Sequence, residues 1–281
     1  MPLSLLLGLA AALAWGVHDV SVRKVSQTGS LLAPLLWVLV IGTVIVLALL
    51  PLVGGTMPMD GDATRAIVAG AVFGLGGAAL YKAFSIGPVR LVAPVIGAYP
   101  ILSMLFAATG GTPVTPSQWL AVLAVVAGVG LVAGGADEGE EAAGSRMAAI
   151  FWSLLAGAAF AVSFDLGQQA SHGGGGLGTL AATRLAACAA VLALALALRQ
   201  SLAPPHGALP LLILMGACDA LALGAVMAAG GLPRPEFASV AASMFGLVTV
   251  VLAWAILRER MVTRQWGGVL LAFAAVGWLS F

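Results

Sequence analysis

Charge is what this chain has least of. Only 8% of its 281 residues are Asp, Glu, Lys or Arg, against about 25% in a soluble globular protein. The twelve basic and eleven acidic residues nearly cancel. That excludes the basic face a nucleic-acid partner would need. Cysteine is scarce too: Cys188 and Cys218 both sit inside apolar runs, which reads as small buried side chains, not a disulfide or a metal pair. His18, His172 and His206 have no ligand spacing, so no metal is expected. There is no nucleophile elbow, phosphate loop or zinc motif, no nucleophile with a base at hand, and no cofactor fingerprint. An integral membrane enzyme is therefore the least favoured reading.

What is present is hydrophobic: 61% of the residues, with a mean hydropathy of +1.10. A bilayer-spanning helix needs about 20 apolar residues. Ten such runs emerge: Leu3–Val22, Leu31–Val53, Ala66–Phe84, Leu91–Ala108, Gln118–Ala133, Met147–Gln168, Leu177–Leu198, Ala208–Gly230, Phe237–Leu257 and Gln265–Ser280. The connections are short and rich in Gly and Pro. The first run has no positive segment before it and continues past its small-residue ALA (Ala12 to Ala14), so it reads as a retained span and not a cleaved signal.

The chain also nearly repeats itself. GLAAALAWGVHDV (Gly8 to Val20) lies over LLAGAAFAVSFDL (Leu154 to Leu166) at an offset of 146, with Asp19 on Asp165. QWLAVLAVVAGVGL (Gln118 to Leu131) lies over QWGGVLLAFAAVGW (Gln265 to Trp278) at an offset of 147. Five spans per copy is an odd number, so the second copy enters the membrane upside down. The expected fold is all-α and integral to the membrane: ten transmembrane helices as two inverted five-helix repeats, residues 1–133 and 147–281. The acidic stretch 134–146 (GGADEGEEAAGSR) is a solvated linker between them. Inverted repeats about an axis in the membrane plane are the plan of many secondary transporters.

Orientation follows from the basic residues. The odd-to-even loops hold Arg23, Lys24, Lys82, Arg90, Arg146, Arg199, Arg258, Arg260 and Arg264; the opposite loops hold only Arg65 and Arg234. Both termini are therefore expected in the periplasm of a cell inner membrane. Gly70/Gly74 and Gly130/Gly134 recur at the four-residue spacing that lets helices approach closely. Packing within the chain is one use of such a stripe, and a homodimer is the other. Trp37, Trp119, Trp152 and Trp266 near span ends read as interfacial anchors.

The repeat and its motifs resemble the EamA-type transporters of the drug/metabolite transporter superfamily. The likeness rests on ILRERMVTRQWGGVLLAFAAVGWL with its acidic Glu259, on Arg184 in LAATRLAA, and on Pro100 in GAYPILSM. The first repeat departs from it, having no acid to match Glu259, Trp37–Val38 where the second has Arg184, and Tyr99–Pro100 where the second has Phe245–Gly246. The resemblance implies ten spans and carriage of small metabolites; it names no solute.

Ionisable groups inside a span cost roughly 2.5–3.5 kcal/mol on insertion scales, so each is a functional candidate. Asp219, deepest in the chain, is expected to bind solute or a proton; a hydrogen bond to a neighbouring helix is the alternative. Asp19 and Asp165, each about one turn from the end of its span, suit alternately closing gates, although Arg23 and Lys24 offer Asp19 a surface ion pair. Arg184, at the depth of Asp165, is expected to pair with it as an external gate or structural link, or to clamp a solute carboxylate. His18 either relays protons or lines an interface, and Lys82 most simply snorkels to the headgroups. Pro94, Gly97 and Pro100 should kink the fourth span, with Tyr99 facing solute or packing.

Three carboxyls and one arginine in the spans suit an amino acid-like zwitterion or an organic cation. The function expected is a secondary transporter, an exporter by alternating access, whose partners are the solute and membrane lipids. The alternative is a non-transporting membrane subunit or lipid-handling partner.

Overall fold

A computed structural model describes residues 2–26, 31–87, 89–133, 143–172, 175–257 and 262–279. Among them every regular element is helical. In chain order these are α1 (Leu3–Ser26), α2 (Leu32–Leu49), α3 (Asp60–Ile86), α4 (Val89–Ile96), α5 (Pro100–Thr109), α6 (Pro116–Ala133), α7 (Ala143–Ser171), α8 (Gly176–Ala197), α9 (Leu209–Ala228), α10 (Glu236–Ala242), α11 (Phe245–Leu257) and α12 (Thr263–Trp278). Helices α1, α2, α3, α7, α8 and α9 are long and apolar enough to cross a membrane. Residues 134–142 of the expected 134–146 linker, and Glu259, lie outside the described residues, while 143–146 belong to α7.

The fourth expected span is α4 plus α5, and the ninth is α10 plus α11. The backbone stays helical through Pro94 and breaks at Gly97–Tyr99, where Pro100 supplies no N–H. The ninth span breaks at Ser243–Met244, the repeat mates of Gly97 and Ala98, without any proline. There the Ser243 hydroxyl donates to the Val240 carbonyl at 2.7 Å, so a carbonyl freed by the break keeps a donor. Side-chain satisfaction of this kind lets a helix break at membrane depth.

The repeats interlock. Helix α1 packs on α9 and α7 on α3, while α3 crosses α8 and α2 crosses α9. Repeat-mate glycines make the last two crossings close. A methyl at Gly70 would collide with the Thr183 carbonyl on α8, and one at Gly216 would come within 2.9 Å of the Val38 carbonyl on α2. Gly74 likewise faces Ala187 of α8. The Gly70/Gly74 stripe is thus occupied inside the chain. Leucines such as Leu13, Leu75, Leu120, Leu154, Leu221 and Leu270 point outward, while alanines fill much of the interior. That is the distribution expected where lipid is the solvent and small residues govern close packing.

Candidate functional site

Buried His18, Asp19 and Asp219 line one small cavity of about 40 Å³ between α1, α2, α3, α7, α9 and the two helix breaks. That is room for a few waters. Trp15, His18 and Asp19 come from α1, Tyr81 from α3, Asp219 from α9, and Tyr99 and Phe245 from the breaks. Aromatic rings supply much of the wall. Trp15 stacks on Phe164 at 5.3 Å, and Tyr99 meets Phe164 edge-on at 5.5 Å.

Asp219 accepts two hydrogen bonds. Arg184 Nη1 donates to its Oδ2 at 2.9 Å, and Trp15 Nε1 donates to its Oδ1 at 3.0 Å. The guanidinium is fully buried, and its Nη2 donates to the Leu39 carbonyl at 3.3 Å on α2. It fits there because residue 42 is glycine: a methyl at Gly42 would strike Arg184 Nη2. A buried charge is tolerable when paired and hydrogen-bonded, and Arg184 has both kinds of partner.

The expected pair of Arg184 with Asp165 does not form. Arg184 leaves α8 towards α2 and α9, whereas Asp165 on α7 accepts from Gln169 Nε2 at 2.7 Å. Matched depth along two helices does not fix which way each side chain faces around its axis. Asp19 differs from expectation as well. Helix α1 runs on to Ser26, so Asp19 sits about two turns inside. It is buried, and His18 Nδ1 lies 2.8 Å from its Oδ1. With Asp19 ionised, Nδ1–H is the donor. His18 also faces the Tyr81 ring at 6.4 Å, and the Tyr81 hydroxyl is buried with no hydrogen-bond partner among the described residues.

Beyond Tyr99 lies a second, more polar chamber of about 290 Å³, lined by Ser103 and Phe106 of α5, Asp165, Gln168 and His172 at the end of α7, and Glu236 and Ser239 of α10. Glu236 pairs with Arg234, whereas Asp165 makes no ion pair with a described Lys or Arg and has His172 as its nearby basic group. One hydrogen bond links a residue of the first cavity to a residue of the second. The Tyr99 hydroxyl donates to the Ser239 carbonyl at 2.8 Å, tying the break in the fourth span to α10 in the ninth.

Two broken helices at equivalent places in interlocked repeats, meeting at a cavity, are the features of a transporter core. Sequence comparison agrees: the EamA-like transporter family matches residues 2–134 and again 147–281. The chain belongs to this family. The match covers both halves, so this EamA-like protein is a multi-pass membrane transporter of the drug/metabolite superfamily. Among proteins with curated descriptions, none matches its sequence. A solved structure described only as a crystal structure of a protein superposes with a TM-score of 0.79 at 16% identity, covering 99% of this chain and 96% of that one. At that identity the likeness speaks for the fold alone.

Three contributors escaped sequence reasoning. Trp15 holds Asp219, and its signal was its place one turn before Asp19 on the same face. Gln168, an amide in an apolar run one turn past Asp165, donates to the Pro235 carbonyl at 3.0 Å and the Val226 carbonyl at 3.1 Å, joining α7 to α9 and α10. Ser243 had no signal beyond being the mate of Gly97.

Proposed function

We propose that this protein crosses the membrane ten times and exports a small organic cation by alternating access, with both termini on the periplasmic side of an inner membrane. The observation that carries the solute class is the engagement of Arg184. Asp219 already neutralises that guanidinium, so no described cavity base is free to receive a solute carboxylate. Asp19 remains, bonded to a histidine that carries no charge when neutral. One uncompensated carboxylate inside an aromatic wall is a site for a cation, which gains from both the charge and the ring faces. This supports an organic cation over a zwitterion, with Asp19 as the solute's ligand and Asp219 with Arg184 as a brace.

At about 40 Å³ the inner cavity holds no metabolite. The described conformation therefore suits a closed state, with the Tyr99–Ser239 contact as the partition that opens towards the larger chamber. Asp165 then meets the solute on that side, and the basic-loop side opens in the alternate state.

Phenethylamine and phenylalanine share a ring and an ammonium and differ by a carboxylate. Flux of each into liposomes holding the purified protein tests the reading. Phenethylamine should cross, and Asp19→Asn should abolish its flux. Equal transport of phenylalanine, insensitive to Asp19→Asn, refutes the cation reading. Absence of flux across a panel of cations and zwitterions instead supports a non-transporting subunit.

A further inference from the structure

On the outer side of α3, away from the cavity, a groove of about 810 Å³ runs between α2, α3, α7 and α8. We propose that it holds one anionic phospholipid, with the phosphate at Lys82 and an acyl chain along the apolar floor. This rests on membrane residence and not on the solute assigned above.

The groove has the polarity of an amphiphile. Lys82 lies at the end of α3, Trp152 near the start of α7, and Gln200 just past the end of α8. The run of these antiparallel helices brings all three to the end of the bundle that carries the basic loops. Further in, the lining is apolar, including Leu75, Leu155 and Val162. Leu75 and Leu155 are exposed, so this floor opens sideways to the bilayer.

Among the described residues the charge at the polar end is positive and unpaired. Lys82 is half-buried and makes no ion pair with any described residue. Exposed Arg199, between Leu198 and Gln200 on the rim, adds a second positive charge there. The repeat mate of Lys82 is Ala228, so the base belongs to this groove and not to the repeat. Basic pockets between transmembrane helices on the cytoplasmic side are the kind that take anionic headgroups. A free phosphate would leave the apolar floor unused, and a zwitterionic lipid would bring no net negative charge.

A lipid here lies behind the helix that forms the cavity wall. Gly77, Leu80 and Tyr81 face the cavity, while Gly76, Ala79 and Lys82 face the groove. Bound lipid therefore braces the cross-repeat packing of α3 on α7.

The test uses the full chain in detergent, with native mass spectrometry and thermal unfolding. The probes are dioleoyl phosphatidylglycerol, dioleoyl phosphatidylcholine and glycerol 3-phosphate. One phosphatidylglycerol should stay bound through detergent exchange and raise the unfolding midpoint above that with phosphatidylcholine, as ligands of the native state do. Lys82→Gln should weaken its binding about fivefold, the worth of one basic side chain near an anionic headgroup. Lys82→Arg should keep it, and Ala158→Trp, which fills the groove, should remove it even if Lys82→Gln fails to fold. Equal stabilisation by phosphatidylcholine, equal stabilisation by glycerol 3-phosphate, or undiminished phosphatidylglycerol binding to Ala158→Trp each overturns the proposal. None of these readouts involves transport, so this idea and the cation reading fail separately.

Discussion

Consider removing one charge from the Arg184–Asp219 pair. Asp219→Asn keeps the shape and still accepts from Trp15 Nε1. It leaves a fully buried guanidinium facing a neutral amide, its Nε already without a partner among the described residues. Breaking a buried pair by one partner costs about 3–5 kcal/mol, because the remaining charge stays uncompensated. In a chain of this length that lowers the thermal midpoint by on the order of 5–15 °C. Arg184→Met should cost a similar amount, since it orphans the Asp219 carboxylate. The double variant Arg184→Met with Asp219→Leu removes both charges and replaces them with apolar side chains. It should recover most of the loss, because such replacements of buried pairs are often neutral or better. Tryptophan-fluorescence melts of the four proteins in one detergent give the coupling energy directly. A coupling under about 1 kcal/mol, with the single losses simply adding, would refute the brace. If Asp219 were instead the solute's own ligand, Asp219→Asn would melt like the parent and fail only in flux.

Other outcomes follow from single contacts. Tyr99→Phe deletes the hydroxyl that donates to the Ser239 carbonyl, a bond worth about 1 kcal/mol. With Cys188 and Cys218 replaced, labelling of Leu39→Cys in the cavity by an impermeant thiol reagent added from the outer side should quicken about fivefold, and an unchanged rate removes the partition role. Gly42→Ala forces the Arg184 guanidinium to move and should cost roughly 1–3 kcal/mol, the usual overpacking range. Gly130→Ala, where an added methyl meets nothing within 4 Å, is the control and should melt like the parent. Asp165→Asn removes a partly exposed carboxylate held by the neutral Gln169 and near His172, so stability should change by less than about 1 kcal/mol; a loss comparable to that of Asp219→Asn would mean a buried charge pair there. A reporter active only in the cytoplasm, fused after Phe281, should stay dark, and a bright fusion reverses the proposed orientation.

The sequence by itself determined the class of this protein. Composition set the solvent, because a chain this poor in charge and this rich in apolar runs must meet lipid. The 146-residue offset, with Asp19 over Asp165 and Gln118 near Gln265, exposed the two repeats that the family match covers. Pro100 marked the break in the fourth span because a missing N–H is written in the residue itself. The site was decided by tertiary structure. Rotation about each helix axis sent Arg184 to Asp219 and away from Asp165, and depth along a span carries no information about that angle. The break at Ser243–Met244 depends on a hydroxyl meeting a carbonyl, which no proline announces. The partition at Tyr99 needs a partner 140 residues away, brought there only because the two repeats interlock. Periodicity along one helix specifies what must be buried; which neighbour buries it is a property of all the helices packed at once.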